Sequence, residues 1–387
     1  MPRIISGFIR GACVPAGVIR FCLSVFFFIL WSDRIVQFLP SHGHHLMTDK
    51  KLLIARMAAN RARLLREIIG VSEDALMKIP VYGDWTVANM LAHLGEYDDL
   101  FARSIPFALS GELSTVGVDF TDIRDHLLHE RVGNWSLEGS VEYMMAARNR
   151  FLKVLGEVSP ADVDRQRRYP WKFGGKAGTT RSTIRAWTRA RFLHDAGHHQ
   201  DLREWRRKLK REPEAGPRVV LQAALEAARM DFTASAALVD ESERETRPVC
   251  GHWTLKDVLG HLADCDDHYL HVVHVMLDEP GDPFRTTNPI EDEKFNEDRA
   301  KKRRKYAYRK QLSDFESSRR ELIAALERLS DEELSFPYSG DSSPYPTIYH
   351  CFWSALEHDL DHAAVLRREL HIKFPKYLLR FKGPYTG

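Results

Sequence analysis

The chain has 387 residues, 44% hydrophobic and 28% charged, with a formal net charge of +2. That length exceeds one ordinary core and suits two domains, and the balance is that of a soluble globular protein. Its five cysteines form no CxxC pair, which speaks against a disulfide framework and a thiolate zinc site and fits a reducing compartment such as the cytoplasm.

Residues 1–46 form a short N-terminal extension in which FCLSVFFFILW (21–31) follows Arg3, Arg10 and Arg20. This segment is about half the length of a spanning helix, and no small-x-small cleavage site follows it. Two readings stay open: a weak membrane association, or a translation start at Met47, where MTDKKLL opens an amphipathic helix. The second is preferred, and His42, His44 and His45 in the extension get no functional role.

From Met47 on, the apolar period predicts a first helix over 51–69. A second begins at Thr86, an N-cap with Asn89 three residues on, and carries Val87, Met90, Leu91, Leu94 and Phe101 on one stripe. A third spans roughly 137–155. A basic, glycine-containing loop, RQRRYPWKFGGKAGTTR (165–181), leads to a fourth helix starting near Ser182. Strand-like alternation is scarce.

The pattern then repeats. GDWTVANMLAHLGEYDDLF (83–101) realigns with GHWTLKDVLGHLADCDDHYL (251–270), so that Trp85, Thr86 and His93 match Trp253, Thr254 and His261, each 168 positions on. LHDAGH (193–198) realigns with EHDLDH (357–362) at a separation of 164, a drift that loop-length variation explains. The corresponding helices are expected over 219–239, from Thr254, over 311–329, and from Thr347, with FPYSGDSSPYP (336–346) in place of the basic loop. So long a period is a domain duplication. The fold expected is all-α: two tandem four-helix bundles, 47–212 and 213–372, each with a crossover between its second and third helices, and a tail over 373–387. The first unit is net +6 (28 Lys+Arg against 22 Asp+Glu), and 213–387 is net −7 (24 against 31). Opposite signs attract, so the two bundles are expected to dock on each other as an intramolecular pseudo-dimer, monomeric in solution.

Eighteen histidines are present, and two pairs, His194/His198 and His358/His362, have the four-residue spacing that puts both imidazoles on one helix face. Trp187, His194, His198 and Trp205 all fall within about 20° of one direction at 100° per residue. His93 and His261 on the second helices supply a third imidazole to each pair. Three protein ligands with an open position is the arrangement of a catalytic metal site, and imidazole suits zinc, nickel, copper and iron alike. In an empty site the nitrogens should approach within about 3–5 Å. Asp195 and Asp359, inside each His-Asp-x-x-His, are either acceptors for a ligand N–H or solvated charges. Glu96 and Asp264, one turn beyond His93 and His261, are candidates for a base. His268 lies about 10.5 Å along the helix from His261, too far to share its ion, and His271 and His274 follow it.

These motifs resemble the DinB/YfiT-like superfamily, whose pattern is a Trp-Ser/Thr start to the second helix, His-Leu a little further on, and HxxxH on the last helix. Here it is WTVANMLAHL with HDAGH, then WTLKDVLGHL with HDLDH, and the resemblance covers nearly everything from Met47 to about His371. It implies metal-binding four-helix bundles, with His93, His194 and His198 as one ligand triad and His261, His358 and His362 as the other. The superfamily includes thiol-dependent S-transferases and maleylpyruvate isomerase-like proteins, which implies a small-molecule substrate, a divalent ion and a low-molecular-weight thiol. Its usual members are single-unit chains that self-associate, whereas this chain can supply its own partner. The leading functional reading is a metal-dependent transferase or hydrolase acting on small electrophiles, for detoxification or stress resistance. Whether it is an enzyme stays open, because a non-catalytic metal-binding or sequestering protein would carry the same triads. Basic runs at 203–211 and 301–310 raise nucleic-acid binding, but both read more simply as solvated helix faces, and the second lies in the net-negative half.

Overall fold

A computed structural model describes residues 49–111, 118–119, 135–173, 176–210, 214–277, 293–337, 345–372 and 374. The apolar segment 21–31, Met47, His42, His44, His45 and nearly all of the 373–387 tail lie outside them. No helix among the described residues is long and apolar enough to cross a membrane.

The first bundle is built from α1 (Asp49–Arg66), the short α2 (Glu73–Lys78), α3 (Val87–Ser110), α4 (Leu137–Glu157), the single turn α5 (Pro160–Val163) and α6 (Ile184–Leu209). The second is built from α7 (Arg218–Ala236), α8 (Leu255–Met276), α9 (Glu293–Arg303), α10 (Tyr308–Glu327), α11 (Asp331–Ser335) and α12 (Ile348–Glu369). The fold is all-α with two tandem bundles, and the expected helices appear within a few residues of where their periodicity put them. The same local devices start equivalent helices. Thr86 and Thr254 each accept a bond from the backbone N–H three residues on, and Asn89 and Asp257 answer onto the cap N–H, closing two capping boxes. Thr183 and Thr347 likewise cap α6 and α12. Within the bundles, α3 packs on α4 and α1 on α6, as α8 packs on α10 and α7 on α12. Large apolar side chains fill each core, among them Phe101, Phe151 and Trp187 in the first and Phe232, Phe315 and Leu259 in the second.

Two things depart from the expected pattern. The basic stretch at 165–181 is mostly a β-hairpin, β2 (Arg167–Phe173) and β3 (Lys176–Ser182), paired antiparallel from Arg167↔Ser182 to Phe173↔Lys176. Val118–Asp119 (β1) adds to it in parallel, with Val118 opposite Trp171. Gly-Gly between two runs is a recognised hairpin signal, and Gly174-Gly175 is that signal here. A second small ribbon, β4 (Pro248–Cys250) and β5 (Trp253–Thr254), leads into α8.

Helix α1 packs along its equivalent α7, so the first helices of the two bundles face each other. Ala55 and Ala58 meet Ala234 and Leu238 there, and a continuous apolar core runs from Leu64, Leu65 and Ile68 to Leu221, Phe352 and Leu356. Tyr349 from the second bundle accepts the Gly70 N–H at 3.0 Å. The joint is therefore apolar and small-residue in character. The ion pair across it from Arg66 Nε to Glu357 on α12, at 2.7 Å, is partly exposed and contributes about 1 kcal/mol at most.

Candidate metal centres

Each capping box fixes where the second helix begins and so where its histidine falls, two turns in. In the first bundle α3 delivers His93 and α6 delivers His194 and His198. His93 Nε2 lies 3.0 Å from His194 Nε2, and His198 Nε2 lies 3.1 Å from the same atom. All three rings are buried, at 2%, 2% and 0% exposure. In the second bundle His261 Nε2 lies 3.0 Å from His358 Nε2, and His362 Nε2 lies 3.1 Å from it. The structure thus brings all six predicted histidines together in two matching triads. Trp85 and Trp253 pack against His93 and His261 with ring centroids 5.0 and 4.9 Å apart, which explains why each Trp-Thr start accompanies its histidine.

Burial, followed by neighbouring positive groups, holds His93 and His194 well below the usual imidazole pKa, and His358 likewise. Burial and then His362 bring His261 down to about 3, and burial brings His362 to about 4. Those five rings are neutral near pH 7, so each has one nitrogen lone pair to give. A ring nitrogen carries either one hydrogen or one lone pair, so His194 Nε2 can make only one of its two close contacts as a well-directed hydrogen bond. The same holds for His358 Nε2. A cation at the centre of each triad would satisfy all three nitrogens once each ring carries its hydrogen on Nδ1. Two nitrogens at 2.0–2.1 Å from a tetrahedral ion stand about 3.3–3.4 Å apart. The observed 3.0–3.1 Å needs only a small outward movement to fit. The donor sets therefore suit a divalent ion, and two groups of side chains could hold one: His93, His194 and His198, and His261, Cys265 and His358.

The surroundings differ. His198 Nδ1 faces Asp201 Oδ2 at 3.2 Å, a carboxylate that favours the tautomer with the lone pair on Nε2. Its counterpart three residues after His362 is Val365. Arg191, three residues before His194, places Nη1 3.1 Å from His194 Nδ1 while its guanidinium lies over the rings of Tyr97 and Phe101. Its counterpart before His358 is Ala355. Burial holds Arg191 down to about 10, and its Nε and Nη2 have no hydrogen-bond partner.

Several candidate residues go elsewhere. Asp195 and Asp359 are neither acceptors for a ligand histidine nor solvated. Arg61 and Arg148 bind both Asp98 and Asp195 at 2.8–3.1 Å, and Arg229 and Arg319 bind both Asp266 and Asp359 at 2.7–3.0 Å, all eight side chains being largely or wholly buried. These twin networks tie the four main helices of each bundle together behind the histidines. Glu96 bonds Tyr143 on α4, and Asp264 takes both arms of Arg303 at 2.8 and 2.9 Å, so neither stands as a base at the triads. Much of the basic run at 301–310 is likewise committed: Arg303 also reaches Gln311 and Asp314, and Arg304 reaches Asp257 and Glu297. Arg206 donates to the carbonyls of Glu67 and Ile69.

Arg191, Tyr97, Asp201 and Cys265 are side chains at the triads that the sequence reading passed over. Cys265 had a signal, since it follows His261 at the same four-residue spacing as the histidine pairs.

A family model described as the DinB superfamily matches residues 56–202 and again 224–366, together well over half of the chain. No curated protein and no solved structure matches it.

Proposed function

This chain belongs to the DinB superfamily, and from that premise we propose that it is a metal-dependent enzyme that activates a thiol or water against a small electrophile. In this reading His93, His194 and His198 hold one divalent ion, and His261, His358 and His362 hold the other. The observation that carries it is the pair of close contacts made by a single nitrogen in each triad, 3.0 and 3.1 Å at His194 and again at His358, a convergence of ring nitrogens that a shared cation satisfies. A bound divalent ion supplies Lewis acidity that lowers the pKa of a thiol or water beside it.

The chain's own residues set the conditions. Burial keeps His93, His194, His261, His358 and His362 neutral and so available as ligands, and Asp201 orients His198. The free donors of Arg191 suit an anionic group on the substrate or thiol, held against the first triad. We assign the activity to detoxification or stress resistance, with small molecules rather than nucleic acid as partners. The reducing cytoplasm suits the free Cys250, Cys265 and Cys351. The docked pair of bundles acts, in this reading, as a monomer in which each unit replaces the other's partner copy.

A second reading is a non-catalytic metal-binding or sequestering protein. It is favoured by the turning away of Glu96 and Asp264, which leaves no carboxylate in either metal-capable group among the described residues. Turnover of thiol-plus-electrophile and ester-like substrates by metal-loaded protein separates the two. Activity abolished by His194→Ala supports the enzyme, and full metal occupancy with no turnover across a broad panel supports sequestration.

A further inference from the structure

The two triads are equivalent by duplication, yet the residue one turn beyond the first histidine is Tyr97 in one bundle and Cys265 in the other. Cys265 is 2% exposed, and its Sγ lies 3.7 Å from His261 Nε2 and 3.8 Å from Nδ1. Near-equal distances to both ring nitrogens mean the thiol is aimed at neither lone pair, as a hydrogen bond would require. An ion on His261 Nε2 stands on the side of that atom away from Nδ1, so the sulfur reaches it by turning toward Nε2, from which it is already 3.7 Å. With sulfur at 2.3 Å and nitrogen at 2.0–2.1 Å from a tetrahedral ion, the S···N edge is about 3.6 Å. The ligand atoms of Cys265, His261 and His358 all lie within 4.8 Å of one another, and His362 Nε2 adds to the group from 3.1 Å beyond His358 Nε2. Such burial leaves the sulfur no access to an electrophile in solution, which weighs against a nucleophilic role. Nor does it form a disulfide: Cys265 is free, and the other buried free cysteine, Cys351, turns its Sγ to the Tyr269 carbonyl at 3.5 Å.

We propose that Cys265 is a fourth protein ligand of the second centre, which makes it a closed site of three histidines and one thiolate, while the first centre alone keeps an open position. The proposal rests on the reading that the triads hold metal. It divides the labour between the bundles: four protein ligands make a structural site, and three make a site where a substrate can bind. On binding, the sulfur exchanges its proton for the ion and the proton passes to solvent. A thiolate also biases the second centre toward softer ions, whereas Tyr97 leaves the first with imidazole nitrogen only.

Cobalt(II) loading of the full-length chain tests this, because thiolate coordination gives an intense near-ultraviolet charge-transfer band that imidazole coordination lacks. The expected result is such a band in the wild type, retained in Cys351→Ala and in His194→Ala. Cys265→Ser and Cys265→Ala should lose it while still binding cobalt at the second centre, at least about tenfold more weakly. Cobalt bound at both centres with no band, or a band that survives both Cys265 substitutions, overturns the proposal and leaves the metal reading standing. His194→Ala protein that binds no cobalt at all overturns both for the second bundle.

Discussion

Arg191 places its Nη1 3.1 Å from His194 Nδ1, and because a guanidinium can only donate, the ring must accept there and carry its own hydrogen on Nε2, the atom at the centre of the first triad. The arginine thus holds His194 in the tautomer that opposes metal binding and adds a positive charge beside the site. Arg191→Met should tighten divalent metal binding at the first centre by about tenfold or more, roughly 1.4 kcal/mol, with the second centre unchanged. Isothermal titration of each centre, with the other removed by a histidine substitution, checks it. Unchanged or weaker binding would contradict the tautomer assignment.

Acid should destabilise the metal-free protein through His261. Its pKa is near 6.5 in an unfolded chain and about 3 in the fold, where burial and then His362 oppose the charge. Between those values the unfolded state binds the extra proton, so this stability is fully present above about pH 6.5 and is lost as pH falls toward 3. Urea unfolding of metal-free protein between pH 7 and pH 4 should show the loss, and His261→Gln should flatten the slope. An identical slope in the variant would refute the assignment.

The twin ion networks should dominate charge-based stability. Arg148→Met leaves Asp98 and Asp195 buried with one arginine between them, and should cost about 3–5 kcal/mol. Arg66→Ala breaks a partly exposed pair with Glu357 and should cost about 1 kcal/mol or less. Equal costs in denaturant unfolding would mean the buried network is not holding the helices.

At the joint between the bundles, Tyr349→Phe removes the acceptor of the Gly70 N–H and leaves that group buried without it. The expected loss is about 1–3 kcal/mol. Hydrogen exchange should show it first at Gly70, and unchanged protection there would remove the bond from the account.

The parts of this fold that local rules govern were legible in the sequence. Thr86 and Thr254 announced their capping boxes, and the four-residue histidine spacing announced which imidazoles share a face. The duplication supplied His93 and His261 by register. The same reliance on duplication concealed Cys265, since its counterpart is Tyr97 and nothing repeats. The buried roles of Arg61, Arg148, Arg229 and Arg319 leave no local pattern in the sequence, because pairing with Asp98, Asp195, Asp266 and Asp359 is non-local: each partner arrives from a different helix. The strand pair from Arg167 to Ser182 was hidden by its arginines and lysines, although the sequence carries Gly174-Gly175 as a hairpin signal.

Elemental analysis of the purified, dialysed chain tests the central claim most directly. Two metal-capable clusters predict two divalent ions per chain in the wild type, one in His194→Ala, one in His358→Ala and none in the double variant, with helical content retained throughout. Wild-type protein that holds no stoichiometric metal after exposure to zinc, nickel, iron or cobalt, or a double variant that still binds two ions, would contradict it.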